Sequence, residues 1–282
     1  MMKTGLIMEG GAMRGLFTAG VIDVMLENGI QVDGAIGVSA GAAFGCNYKS
    51  AQAGRVLRYN TKYCNDPRYC SVRSLIKTGD MYGAKFCYEE IPQRLDVFDL
   101  ETFRKSPMDF YVVCTDVLTG EAVYHKCEQG DGEDTDWIRA SASMPIVSQI
   151  VKVNGYELLD GGIADSIPLR YFESIGYNKN IVILTQPQGY VKNKNKFLPI
   201  IRMAMKKYPK VIKSLEKRHE MYNETIKYIT MKEAAGEVFV IRPSSGLEIG
   251  VIERKPEELK RVYEMGRATA INALPQLKAF IE

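Results

Sequence analysis

Apolar and polar positions along the chain fall into two rhythms. Unbroken apolar runs at residues 4–8, 35–38 and 110–114, with a later one at 181–185, predict buried strands. Helical patterns lie between them. One covers 16–26 and stops before Asn28-Gly29; another, at 40–47, is rich in small residues; a third, at 168–174, starts with Pro168 and ends before Gly176. Strand-like residues 121–124 and an apolar run ending at Asp160 add to these, and a strand at 237–241 and a helix from Pro256 to about Phe280 close the chain. Strand and helix alternate from the first residues. That predicts an α/β fold of three layers, a mainly parallel central sheet with helices on both faces. Residues 129–136, polar and acidic, read as a surface loop.

The pattern changes after residue 190. From Lys192 to Arg218 there are ten Lys or Arg residues against one acid, Glu216. Leu198, Ile201, Met205, Tyr208, Ile212 and Leu215 recur at steps of three and four, giving an apolar stripe opposite that charge. Pro209 is expected to kink or split the stripe. The reading is a core over residues 1–190 and a basic helical elaboration over 191–282, both within one domain. The elaboration suits peripheral contact with an anionic membrane.

Composition sets wider limits. At 46% hydrophobic and 25% charged residues, the 282-residue chain can bury a large core. A net charge of +3 gives no reason to expect a nucleic-acid partner. No apolar stretch approaches the roughly 18 residues of a membrane span. Residues 1–11 pass from a short apolar run into an acid and glycines, which reads as a first strand and not as a targeting leader. The six cysteines include no Cys-x-x-Cys pair, and the two histidines are scattered, so no metal site or other cofactor is expected. Free thiols and the missing leader point to the cytoplasm.

Three segments carry candidate chemistry. Gly37-Val38-Ser39-Ala40-Gly41 matches the Gly-x-Ser-x-Gly nucleophile elbow and lies between a predicted strand and a small-residue helix. Gly37 and Gly41 give the room that the strained turn requires, and the helix N-terminus favours negative charge on Ser39. Glu9-Gly10-Gly11-Ala12-Met13-Arg14-Gly15 follows the first strand and opens a helix, so its backbone N–H groups suit an oxyanion hole. A P-loop would need Lys-Ser/Thr where Leu16-Phe17 stand, and a dinucleotide fingerprint would need glycine at Ala12. Asp160-Gly161-Gly162 places a carboxylate at the end of an apolar run. His219 lies on the basic segment and His125 beside a strand, so neither fits a Ser–His–Asp order; Asp160 becomes the candidate base, and it must be close, oriented and partly desolvated.

These segments, in this order, resemble the patatin-like phospholipases. Ala140-Ser141-Ala142-Ser143-Met144-Pro145 is similar to that family's Ala-Ser-x-x-x-Pro stretch, and Arg218-His219-Glu220-Met221-Tyr222-Asn223 resembles a bacterial subgroup. The resemblance covers roughly residues 4–185. It implies a patatin-like fold, a Ser39–Asp160 dyad without histidine, and hydrolysis of lipid or small acyl esters with no metal in the chemical step. It also implies an oxyanion hole drawn from Gly10, Gly11, Ala12, Arg14 and Gly15. One departure stands out: the family usually has a third glycine where Ala12 stands. A non-catalytic binding or regulatory protein on the same scaffold is the alternative, and the presence of all three segments argues against it.

Overall fold

The computed structural model describes residues 3–282; Met1 and Met2, at the head of the stretch read as lacking a leader, lie outside them. The chain opens with β1 (Lys3–Met8), α1 (Gly15–Glu27), β2 (Gly34–Val38) and α2 (Ala40–Lys49), close to the predicted bounds. Four short helical pieces follow: α3 (Arg55–Tyr63), α4 (Val72–Thr78), a π-helical segment (Phe86–Leu95) and α5 (Leu100–Lys105). Next come β3 (Asp109–Asp116), β4 (Ala122–Cys127), α6 (Glu133–Ser141), β5 (Val151–Val153), β6 (Tyr156–Asp160), α7 (Leu169–Ser174) and β7 (Tyr177–Ile183). The chain ends with α8 (Leu198–Ala204), α9 (Pro209–Ala234), β8 (Val238–Ile241) and α10 (Pro256–Ile281).

One eight-stranded sheet runs in the order β5-β6-β3-β2-β1-β7-β8, with β4 also paired to β3. The central neighbours are parallel, whereas β4, β5 and β6 pair antiparallel. The unbroken apolar runs follow from burial on both faces. Leu6, Met8, Ala35, Val112, Ile181 and Ile183 enter one core, and the alternate residues Ile7, Ile36, Val38, Val113 and Val182 enter another. Helices α1, α2 and α10 cover the first face; α7 and α9 cover the second. The antiparallel pieces are made by tight turns. Asn154 and Gly155, both at positive φ (49° and 81°), close the β5–β6 hairpin, and Gly120 (φ 74°) turns β3 into β4.

Two expectations need correction or refinement. Residues 129–136 are not wholly loop, because α6 begins at Glu133; Glu133, Asp134 and Asp136 fill its first turn, where acids oppose the positive end of the helix dipole. Pro209 does split the basic segment, standing at the start of α9. Much of the apolar stripe packs inward, with Ile201, Met205 and Leu215 against Val117, Leu159 and Ile163. The turn of α8 around Phe197, Ile200 and Met203 stays exposed.

Helices α1 and α10 cross at backbone contact. A Cβ on Gly20 would lie 2.1 Å from the Tyr263 carbonyl oxygen, and one on Gly266 would lie 2.0 Å from that of Phe17. Tyr263 hydroxyl donates to Asp23 at 2.6 Å beside this crossing, and Arg267 grips Glu27 through two bonds of 2.8 Å. Gly266→Ala is therefore expected to destabilise the protein by roughly 1–3 kcal/mol, read as a lower urea midpoint at unchanged slope.

Candidate active site

Strand β3 brings the two candidate residues together. In parallel register, Val38 at the end of β2 lies opposite Val113; in antiparallel register, Asp160 at the end of β6 lies opposite Cys114. β4 occupies the other side of β3 along residues 110–115. β6 therefore takes up the edge of β3 where β2 leaves it, and the two strands point their C-terminal ends at each other. Ser39 follows Val38 directly, so it faces Asp160 across one residue step of β3.

The elbow is tight on every side. Ser39 has φ 56° and ψ −122°, a region that L-residues rarely occupy and that costs about 1–3 kcal/mol. A Cβ on Gly37 would lie 2.3 Å from the Gly41 carbonyl oxygen, and one on Gly41 would lie 2.3 Å from that of Met8. Gly10 reaches in as well, where a Cβ would come within 2.8 Å of the Ser39 Cβ. The strained turn is held by Ser141, whose Oγ accepts from the Ser39 N–H at 3.0 Å and donates to the Val113 carbonyl at 2.6 Å. Two residues on, the Ser143 carbonyl accepts from the Asp160 N–H at 2.8 Å. The 140–145 segment thus fastens both candidate residues. Its family likeness is visible in the sequence, but this task is not.

Asp160 is 5% exposed. Its Oδ1 accepts from the Gly162 N–H at 2.8 Å, and Thr115 Oγ1 donates to its carbonyl at 2.9 Å. Burial pushes the carboxyl above the ordinary aspartate range; the Arg218 guanidinium, the Ser39 side chain and the Gly162 amide pull it partway back. Arg218 itself donates Nε to the Gly162 carbonyl. Sequence reading placed Arg218 on a basic surface; its register on α9 instead turns it toward the carboxylate.

The glycine loop stands beside Ser39. Among the described residues, Gly10, Gly11 and Ala12 donate their N–H groups to no protein acceptor. Ala12 holds φ 50°, a left-handed conformation in which glycine is the usual occupant. Arg14 and Gly15 differ from these three. The Arg14 N–H is taken by the Gly11 carbonyl, and the Gly15 N–H turns back to Ala12 and Met13. Gly15 serves packing, since a Cβ there would lie 2.8 Å from that of Ala40. Only the side chain of Arg14 is available, and its buried Nε has no partner. Glu9, which the sequence shows only as the head of the loop, anchors it: buried, it accepts from Thr185 N–H at 2.6 Å and Tyr222 hydroxyl at 2.8 Å.

His125 is engaged elsewhere. Its Nε2 bonds Asp134 at 2.9 Å, and its ring stacks on Trp137 with centroids 4.4 Å apart. His125, Cys127 and Asp134 place ligand-type atoms within 4.8 Å of one another. The Asp134 carboxylate is already taken by the amides of Gln129 and Gly130 and by His125, so the set reads as the anchor of α6. His219 lies on α9, 3.7 Å from Glu220.

A cavity of about 1340 Å³, its open mouth included, begins at Ser39 and Ala12 on the α2 side of the sheet. Phe44, Tyr59, Met81, Tyr88 and Ile91 give it apolar walls, and the π-helical segment forms one side. Cys46 also lines it, its thiol pushed up to about 11 by burial and so unreactive.

A serine on a strand-to-helix elbow, facing a buried carboxylate and flanked by undonated amides, defines the class of nucleophile-elbow α/β proteins. The sequence narrows it further. A model of the family described as patatin-like phospholipase matches residues 6–173, and the chain belongs to that family. A second model, a domain of unknown function (DUF6363), matches residues 208–282. The chain is 25% identical to the uncharacterized protein YjjU of Escherichia coli, covering 94% of this chain and 75% of that one. It is also 25% identical to an uncharacterized NTE family protein of Mycobacterium bovis, over 64% of this chain and 48% of the relative. With lysophospholipase nte1 of Emericella nidulans it shares 28% identity over 66% of this chain and 12% of that protein. The chain thus spans about half the mycobacterial relative and a small part of the fungal one. A solved structure, VipD of Legionella pneumophila, aligns at 12% identity and TM-score 0.48 over 98% of this chain and 67% of its own.

Removing the Ser141 hydroxyl tests the tether on Ser39. If Ser39 is acylated, Ser141→Ala should lower that rate by up to ~100-fold with little change in KM, because Ser39 loses its fixed position. Stopped-flow acylation with a soluble chromogenic ester checks this, and Ser141→Thr, which restores a hydroxyl, should recover most of the rate.

Proposed function

We propose that the protein hydrolyses acyl esters of lipids, with Ser39 as nucleophile and Asp160 as general base. The observation that carries this reading is the meeting of Ser39 and Asp160 at one edge of β3, beside both the undonated amides and the apolar cavity. Ser39 Oγ attacks the ester carbonyl as Asp160 takes its proton. Amides of Gly10, Gly11 and Ala12 receive the oxyanion, and the proton passes to the departing alkoxide. Water then attacks the acyl-serine, Asp160 accepts its proton, and the fatty acid leaves as Ser39 is restored. A base with a raised pKa suits this work better than an ordinary carboxylate. The acyl chain lies in the cavity. The family to which the chain belongs, and the printed activity of its fungal relatives, support a lipid ester as substrate.

Contact with the bilayer is assigned to α8. No helix among the described residues is long and apolar enough to cross a membrane. Phe197, which caps α8, and Ile200 and Met203 within it are exposed along one side. Lys194, Lys196, Lys206 and Lys207 flank them without a carboxylate partner among the described residues. An apolar face ringed by cations suits an anionic interface.

Two measurements test these assignments. A fluorophosphonate probe should label Ser39 in the native protein, and Asp160→Asn should suppress both labelling and turnover; a folded native protein that takes no label sinks the hydrolase reading. Turnover should rise with pH along a limb above the ordinary aspartate value of about 3.9, because Asp160 must be ionised to accept a proton. The same shift has a stability side. The folded state holds this proton more tightly than the unfolded chain, so Asp160 supports the fold below the ordinary value and opposes it once pH rises past the raised one. Asp160→Asn should therefore melt no lower than the native protein at neutral pH. For α8, anionic vesicles should sediment the native protein at low salt and release it at high salt, and Phe197→Ser combined with Lys196→Glu should lose the binding.

A further inference from the structure

The cavity that starts at Ser39 is apolar along most of its wall, yet phenol hydroxyls are set into it. Most of the buried polar side chains in that wall have protein partners. Arg55 donates to the Asn47 side chain at 2.9 Å and to the Asp96 carbonyl at 2.6 Å. Tyr69 hydroxyl donates to the Asn60 side chain at 2.6 Å, and the Cys46 thiol donates to the Ala43 carbonyl at 3.3 Å. Tyr59 is the exception. It is only 8% exposed, and its hydroxyl has no hydrogen-bond partner among the described residues.

Tyr88, on the π-helical segment, repeats the situation. Its hydroxyl likewise has no partner among the described residues. The residue stands where the cavity adjoins a second, outer cleft, and it lines both together with Pro92 and Thr135. Burial pushes both phenols well above the ordinary tyrosine range, so each keeps its proton and remains a donor. Tyr88 adds to the shift on Tyr59, and Cys46 and Cys87 act on both phenols, so the four groups are neighbours in one stretch of wall.

A plain hydrocarbon chain in this cavity would press methylene groups against both hydroxyls and leave them unpaired, a penalty that nothing in the wall offsets. We propose that Tyr59 and Tyr88 form a subsite for a hydroxyl carried on the acyl chain, so that the protein prefers hydroxylated acyl esters to plain ones. A chain hydroxyl accepts from one phenol and donates to the other, which pairs all three groups. A few polar groups placed in an apolar wall fix the orientation of what enters. A pocket built to bond a substrate hydroxyl also rejects the analogue that lacks it, because its own polar groups are then left unpaired. The inference rests on the acyl-hydrolase reading of Ser39 and adds the chemistry of the chain.

Chromogenic esters of a single medium-chain acid, plain or carrying a hydroxyl at successive carbons, test it. In the native protein kcat/KM should peak at one hydroxyl position and exceed that of the plain ester there. Tyr59→Phe and Tyr88→Phe keep the rings and remove the oxygens. Each should lower the ratio of hydroxylated to plain ester by roughly tenfold, in line with loss of one hydrogen bond. A ratio that is flat with position, or unchanged in both variants, overturns the subsite and leaves the hydrolase reading standing. Equilibrium dialysis of Ser39→Ala protein with the free hydroxy acid and its plain counterpart needs no turnover, so it reads the subsite independently of ester cleavage. Tighter retention of the hydroxy acid, lost when Tyr59→Phe is added, supports the subsite; equal retention of the two acids overturns it. Thermal melting gives a further readout. Neither phenylalanine variant should melt below the native protein, and a lower midpoint in both would mean that the hydroxyls are already paired within the fold, which overturns the proposal.

Discussion

The site depends on the way one strand is shared. β3 gives its first residues to β2 and its last to β6, and the changeover falls between Val113 and Cys114. Because hydrogen-bond register is discrete, a slip of one residue would turn the side chains of either partner to the opposite face of the sheet. Ser39 and Asp160 stand 121 positions apart in the chain (160 − 39), yet their alignment is fixed as firmly as the ladder itself. The 140–145 segment adds a second restraint, tying the Ser39 amide to the Ser141 hydroxyl and the Asp160 amide to the Ser143 carbonyl. The proposed Ser39–Asp160 dyad would have no histidine to absorb small errors of placement, so its chemistry would require this double fixing.

Much of this is legible in the residues. Burial on both faces makes β1, β2, β3 and β7 appear as plain apolar runs, and Gly37 and Gly41 announce the elbow because no larger residue fits there. What escapes sequence reading is long-range. That Ser141 would receive the Ser39 amide depends on α6 docking under β3, and nothing local in a serine-rich stretch says so. Glu9 looks like the end of a strand until Tyr222, over two hundred residues away, is found on its carboxylate. The π-helical segment carries a mixed pattern, since it walls a cavity through Cys87, Tyr88, Ile91 and Pro92 and its apolar residues do not follow a regular α-helical stripe. The hairpin at Asn154-Gly155 is a local signal of the ordinary kind.

The basic segment shows how charge counting misleads. Ten cations in a row of helical turns suggest one surface with one purpose. The fold divides them. The lysines that flank α8 stay in solvent around exposed apolar side chains, whereas Lys192 and Arg218 are folded inward and lie among tyrosines and carboxylates. Periodicity alone cannot make this division, because Lys192 lies before α8, outside any helix, and Pro209 resets the helical phase between α8 and Arg218.

Ala12 gives the glycine loop a character of its own. At φ 50° the alanine methyl strains the fold by about 1–2 kcal/mol. It also narrows the choices open to the unfolded chain, so less freedom is lost when the loop forms. The methyl lies in the wall of the apolar cavity, at its boundary with the polar loop. A third glycine would leave a hinge at that boundary. With alanine there, the amides of Gly10, Gly11 and Ala12 sit in a stiffer frame, which for the proposed ester substrate would favour a ready-made cradle over one that gathers on arrival.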